Sequence, residues 1–151
     1  KERLEDLDQP LPSLSPVNCS AELLESLPER MRPHQILFEA TGGIHAAGLF
    51  TLTGELLCVR EDIGRHNAVD KAVGSLLYRD SWPKDATILS VSGRASFEIV
   101  QKAAAARIPV VASVSAASSL ATDLADQMGI ILAGFVRGDK LNIYTHSERV
   151  T

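Results

Sequence analysis

Long apolar runs are missing from this 151-residue chain. Glu39, Glu55, Arg60 and Glu61 interrupt the early hydrophobic stretches well before the roughly 18 uncharged residues that a membrane span requires, so no membrane association is expected. Cysteine is scarce too. Cys19 and Cys58 lie in unrelated contexts without a Cys-x-x-Cys spacing, which excludes a disulfide scaffold and redox exchange within the chain. Neither sign of charge is in large excess, the net value being −4. Residues 1–30 hold seven carboxylates against three cations, which accounts for all of it. The neutral remainder lacks the basic face that nucleic acid needs. The opening residues Lys1-Glu2-Arg3-Leu4-Glu5-Asp6 do not run from basic to apolar as a secretory signal does. A reduced, cytoplasmic protein is therefore expected.

What is present fits a single globular domain: 45% apolar and 23% charged residues, with 10 glycines and 7 prolines. A chain of this length buries roughly 68–70% of its unfolded surface without a disulfide or a metal. The stretch 4–20 contains Pro10, Pro12 and Pro16 and no sustained period, which predicts an extended arm over 1–20 ahead of a domain over 21–151. Cys19 lies in that arm, where exposure is expected. Ser26-Leu27-Pro28-Glu29 has the form of a capping box and predicts a helix that bends at Pro33 and stops at Thr41-Gly42-Gly43. Two apolar runs, 46–52 and 55–59, flank Thr53-Gly54 and predict a β-hairpin. A helix follows, with Asp62 as its N-cap, Val69, Ala72, Val73, Leu76 and Leu77 inside, and His66, Asp70 and Lys71 outside. Strand and helix then alternate: 86–91, 94–107, 110–114, 119–128, 130–135 and a last strand over 141–145. Gly129 stands at a C-cap position. Such alternation favours a mostly parallel sheet covered by helices.

Three loops carry the same kind of content at strand ends or helix starts. They are Glu61-Asp62-Ile63-Gly64-Arg65-His66-Asn67, Ser92-Gly93-Arg94-Ala95-Ser96 and Ser115-Ala116-Ala117-Ser118-Ser119. Free backbone N–H groups at a helix start attract phosphate, glycine permits close approach, and Arg65 or Arg94 can add bidentate contacts. Any one loop reads as an ordinary cap before it reads as a binding site; three together point to a phosphate-bearing ligand. None matches a P-loop or a G-x-G-x-x-G. His34, His45, His66 and His146 do not form a close-spaced ligand set with either cysteine, so zinc is not expected. Asp62, Asp70 and Glu98 read as caps or ion-pair members before they read as acid–base groups. Cys58, in an apolar strand, reads as a buried inert thiol.

The order hairpin, helix, strand, helix, strand, helix resembles the cytidine deaminase-like fold, a three-layer α/β arrangement with a mixed, mostly parallel sheet and helices on both faces. Zinc deaminases of that fold carry H-x-E and P-C-x-x-C. Here those places read His66-Asn67-Ala68 and Ser92-Gly93-Arg94-Ala95-Ser96-Phe97, so the deaminase's zinc ligands and general acid are missing.

The motifs themselves resemble the FdhD family of formate dehydrogenase accessory sulfurtransferases. The resemblance rests on 41–47 (Thr-Gly-Gly-Ile-His-Ala-Ala), 60–71 (Arg-Glu-Asp-Ile-Gly-Arg-His-Asn-Ala-Val-Asp-Lys), 92–98, 114–121, and Gly134-Phe135 through Tyr144-Thr145. It implies a cytoplasmic, homodimeric factor that takes persulfide sulfur from a cysteine desulfurase. That factor passes the sulfur to the Mo-bis(molybdopterin guanine dinucleotide) cofactor, or its tungsten form, for formate dehydrogenase. GDP is a partial mimic of that cofactor. The family's acceptor Cys-x-x-Cys falls upstream of the segment matching Lys1-Glu2-Arg3-Leu4, so the chain is expected to be the cofactor-binding core without its persulfide cysteine, and no residue here is assigned a catalytic role. A non-catalytic chaperone that holds the same cofactor is the alternative. The resemblance places the cofactor against Thr41, Gly42, Gly43, His45, Asp62, Gly64, Arg65, His66, Asn67, Lys71, Ser92, Gly93, Arg94, Ser96, Ser115, Ser118 and Ser119. It adds the loop Val136, Arg137, Gly138, Asp139, Lys140 and Leu141, with Arg137 and Lys140 as its cations.

Overall fold

The computed structural model describes residues 12–76 and 87–151. Leu77, the expected strand start at Ala86 and the first part of the arm lie outside them. Helix α1 (Ala21–Met31) runs into a 3-10 turn (Arg32–His34) and a short helix α2 (Ile36–Thr41). Strands β1 (His45–Thr51) and β2 (Leu56–Asp62) form the hairpin, and α3 (Arg65–Leu76) follows. The chain continues through β3 (Thr87–Val91), α4 (Phe97–Ala105), β4 (Val110–Ser113), α5 (Ser119–Met128), β5 (Ile131–Arg137) and β6 (Lys140–Ile143).

The six strands form one sheet in the order β2-β1-β3-β4-β5-β6. Strands β3, β4 and β5 pair in parallel, while β1 is antiparallel to both of its neighbours and β6 to β5. Four of the six strands, β2 through β5 without β1, therefore point the same way. Strands β3 and β4 are buried along their whole length, as expected of strands covered on both faces. On one face Leu24, Leu27 and Met31 of α1 pack with Phe50, Ile88, Val110 and Ile131. On the other, residues of α3, α4 and α5 such as Val69, Ile99 and Ala125 cover Leu49, Leu89, Val111 and Leu132. The result is the three-layer arrangement expected from the sequence.

Several boundaries differ from the sequence reading. Helix α1 is capped six residues earlier than expected, by Ser20, whose Oγ accepts from the Leu23 N–H at 3.1 Å. Ser26 lies inside the helix, where its hydroxyl donates to Leu23 O at 2.7 Å and accepts from Arg30 Nε at 2.8 Å. Pro28 is carried within α1; burial of Leu24, Leu27 and Met31 outweighs the backbone bond it forgoes. The helix yields to the 3-10 turn at Pro33, and Gly42, at φ +74°, closes α2. Asp62 is not the N-cap of α3. It pairs with His45 as the last residue of β2, and its Oδ1 accepts from the Gly64 N–H at 3.0 Å. Helix α4 starts at Phe97, not near Arg94, since Ala95 is held extended in a parallel bridge to Ala117 and Ser96 supplies the cap. Helix α5 runs over its expected span and ends on Gly129 at φ +76°.

The expected exposure of Cys19 is corrected. Its N–H donates to Arg149 O at 3.0 Å, its carbonyl accepts from Thr151 N at 3.0 Å, and 5% of the residue is accessible. Leu14, 7% exposed, is likewise docked, its N–H donating to Met128 O at 2.8 Å. Burial pushes the Cys19 thiol up from 9.0 to about 11. The folded state therefore keeps a proton that the unfolded chain releases, so this contribution to stability is complete below pH 9 and is lost as pH rises towards 11. Cys19→Ala is expected to lessen the alkaline fall in unfolding free energy between about pH 9 and about pH 11, read by denaturant titration. An unchanged alkaline slope would assign that fall to other groups.

Candidate functional site

The carboxyl ends of β2, β3, β4 and β5 lie on one edge of the sheet, together with the start of β1. Ligands of open α/β sheets bind at such an edge. Gly93 sits in the angle between two side chains from other elements. A Cβ placed on it would stand 3.1 Å from His45 Nδ1 and 3.5 Å from Arg65 Cδ. The start of α3 and the loop after β3 are thus in contact. His66 Nε2 and Ser96 Oγ join the same two loops by a hydrogen bond of 3.2 Å. Ser96 Oγ also accepts from the Ile99 N–H at 3.4 Å, so one hydroxyl both caps α4 and reaches the imidazole.

The loop after β4 is fastened to the one after β3. Ala95 N donates to Ala116 O at 3.0 Å and Ser118 N to Ala95 O at 3.1 Å. Ser113, buried at the end of β4, donates from its hydroxyl to Gly93 O at 2.6 Å and accepts from Ser115 N at 3.0 Å. On the near side, Ser92 Oγ accepts from Ala46 N at 2.9 Å. Gly42, Gly43, His45 and Ser92 line a cavity of about 320 Å³ that reaches Met31, Gln35 and Phe38. Thr41, the last residue of α2, adjoins it in the chain.

Beside these loops Asp62 anchors a network of its own. Its Oδ2 pairs with Lys71 Nζ at 2.8 Å, and Asn67 Nδ2 stands 3.5 Å from Oδ1. The hydrogen bond from Lys71, then that from Gly64 N–H, holds the Asp62 carboxyl down to about 2. Lys71 also donates to Glu61 O at 3.1 Å, so it serves the loop's own structure. Arg65 is different: its Nε is buried with no hydrogen-bond partner among the described residues, a costly state for a guanidinium donor.

The remaining residues singled out from the sequence fall elsewhere. Arg94 is exposed and has no polar partner among the described residues. Ser118 caps α5, accepting from Ala121 N at 3.1 Å, and Ser119 is exposed on its first turn. Val136, 1% exposed, belongs to the core beneath α1, so its side chain is not available to a ligand. Arg137, Asp139, Lys140 and Leu141 line a separate depression of about 470 Å³ at the β5–β6 turn, and a Cβ on Gly138 would stand 3.6 Å from Glu29 Oε2. Phe135 N donates to Ser115 O at 3.0 Å, which ties this turn to the loop after β4. Sequence reasoning missed Ser113, whose only sign is a serine closing an apolar run. It also missed the structural use of Glu61, whose carboxylate accepts from Leu37 N and Phe38 N at 2.9 Å each. Among the described residues no three His, Cys, Asp or Glu side chains are placed to hold a metal ion, and no described helix is long and apolar enough to cross a membrane.

A sulfur carrier protein FdhD from Streptomyces coelicolor is 55% identical over 141 residues, 93% of this chain and 50% of the relative. Its counterpart from Mycobacterium tuberculosis is 54% identical over 140 residues, and that from Sulfolobus acidocaldarius 51% over 136. The chain spans about half the length of the curated relatives it matches. A crystal structure from Desulfotalea psychrophila, provisionally named a formate dehydrogenase accessory protein, superposes with a TM-score of 0.82 at 29% identity, over 92% of this chain and 62% of that one. The FdhD/NarQ family model matches residues 1–151, and the chain belongs to the FdhD/NarQ family.

Proposed function

We propose that this chain is the cofactor-holding half of a sulfur carrier. The carrier takes persulfide sulfur from a cysteine desulfurase and delivers it to the molybdenum or tungsten bis-guanine-dinucleotide cofactor required by formate dehydrogenase. The sulfur-carrier role is supported by the relatives' names; the cofactor is cargo, and the sheet edge is where it would be held. The observation that carries the reading is the junction of His45, Arg65 and Gly93. A side chain at Gly93 would fill the space between His45 and Arg65, and the buried Arg65 Nε lacks a partner among the described residues. A diphosphate would supply that acceptor, with a small cross-section and negative charge. The amino ends of α3 and α4 add their partial positive charge at the same place.

The bound cofactor supplies the metal centre that takes up sulfur. This chain's residues bind and orient it, so rate comes from positioning. Both of the chain's thiols are buried, and neither is open to receive a persulfide. The resemblance to the FdhD family implies that the acceptor is a Cys-x-x-Cys pair, a spacing that Cys19 and Cys58 do not supply. The same burial favours, for this half alone, the second reading, a module that binds and protects the nucleotide cofactor without transfer chemistry.

Calorimetric titration with GDP tests the reading. Binding is expected in the wild type, and Arg65→Ala is expected to weaken it by about 1.5–3 kcal/mol, the cost of losing a hydrogen bond to a charged group. That corresponds to roughly 10- to 150-fold in affinity. Absence of GDP binding, or heat that sulfate reproduces equally well, would contradict it.

A further inference from the structure

Gln35, the residue between the 3-10 turn and α2, is a buried polar side chain with 7% of its surface accessible. Its backbone N–H donates to Arg32 O at 3.1 Å, but among the described residues its carboxamide makes no hydrogen bond. Burial has taken bulk water from that amide, and the protein returns no partner for it. Packing gives no reason to keep a glutamine here, since methionine fills a similar volume without a polar group. The side chain lines the cavity of about 320 Å³ at the sheet edge, together with Met31, Phe38, His45 and Ser92. A largely apolar lining with a few polar groups aimed inward is the make-up of a small-molecule site. His45 belongs both to this cavity and to the junction at Gly93, where an added Cβ would stand 3.1 Å from its Nδ1. The cavity therefore adjoins the place proposed above for the diphosphate.

We propose that this cavity takes the 2-amino-4-oxopyrimidine ring that guanine and pterin share, and that Gln35 is the residue that reads its lactam edge. The carboxamide matches that edge group for group: Nε2–H donates to the ring carbonyl oxygen, and Oε1 accepts from the adjacent ring N–H. Met31 and Phe38 offer apolar surface to the faces of the ring. A ligand without the lactam leaves the carboxamide as unpaired as it is in the free protein, and an unpaired buried group is what makes a polar site reject an analogue. The proposal rests on the nucleotide reading above and adds the part of the ligand that the Gly93 junction does not contact.

The test titrates GDP, neopterin and inorganic pyrophosphate into the wild type and Gln35→Met by calorimetry. Gln35→Met is expected to lose about tenfold in affinity for the ring ligand that occupies the cavity, while its pyrophosphate affinity stays within about twofold. A loss for GDP alone assigns the ring to guanine, a loss for neopterin alone assigns it to pterin, and a loss for both means that the cavity accepts either. Denaturant titration of the free proteins supplies a second readout. Because the carboxamide has no partner there, Gln35→Met is expected to unfold at the wild-type midpoint or above it, whereas a structural role for the amide lowers the midpoint. Unchanged affinity for both ring ligands, equal losses for GDP and pyrophosphate, or a lowered midpoint would overturn the role of Gln35 and leave the nucleotide reading standing. A wild type that binds neither GDP nor neopterin would overturn both.

Discussion

Gly134→Ala is expected to lower the unfolding free energy by about 3 kcal/mol, the upper end of what an added core methyl costs. The new Cβ would stand 2.6 Å from Tyr144 Cε2, 3.0 Å from Ser115 O and 3.2 Å from Tyr144 Oη. None of these can easily withdraw. The Tyr144 ring packs against the core on the side of α3, α4 and α5, and its own N–H donates to Leu132 O at 2.8 Å. Ser115 O is backbone, and it accepts from Phe135 N. Relief therefore requires β5 to part from the loop after β4, the same contact that joins the β5–β6 turn to the rest of the sheet edge. Denaturant titration measures the effect, and a loss below about 1 kcal/mol would mean that the loop is more compliant than its bonds suggest.

Ser113→Ala is expected to cost about 2–4 kcal/mol although only one oxygen is removed. Ser113 is fully buried, and its hydroxyl serves Gly93 O at 2.6 Å and Ser115 N at 3.0 Å. Deleting it leaves an acceptor and a donor without partners, each at about 1–3 kcal/mol when water cannot replace the bond. The consequence reaches function because this hydroxyl, together with the backbone bonds of Ala95 to Ala116 and Ser118, ties the loop after β3 to the loop after β4. GDP affinity is expected to fall along with stability, by more than the loss in Ser118→Ala, which removes only the cap of α5. Equal GDP affinity in Ser113→Ala and the wild type would separate loop positioning from binding.

The parts of the fold legible in the sequence are those decided within a few residues. Ser118 and Gly129 bound α5 by local capping chemistry, and the uninterrupted apolar runs of β3 and β4 are the mark of strands covered on both faces. The start of α1 was not legible in this way. Ser20-Ala21-Glu22-Leu23 and Ser26-Leu27-Pro28-Glu29 both offer a serine before a possible first turn. The choice between them is made by Leu24, Leu27 and Met31 burying against β5 and the rest of that face. Cys19 is covered by a strand bridge to Val150 at the other end of the chain, a pairing with no local sign. Asp62 carries the residue type of a cap, yet hairpin pairing with His45 keeps it in β2.

The candidate site divides in the same manner. Its loops are visible as Gly-Arg and Ser-rich stretches next to helices, because anion binding uses those residue types locally. That Gly93 abuts both His45 and Arg65 follows from strand order, which no local pattern states. The left-handed backbone of Phe135 has no local sign. Phe135 reads as the last residue of the strand over 130–135, and only the slipped register against β6 reveals its conformation.

The central claim is that the loops after β2, β3 and β4 act as one binding edge. Backbone amide shifts recorded while GDP is added test it most directly. The account predicts that the amides of Gly64, Arg65, Gly93, Ser96 and Ala116 all move along a single saturation curve with one Kd. Shifts confined to one of the three loops, or curves that saturate at different GDP concentrations, would contradict it.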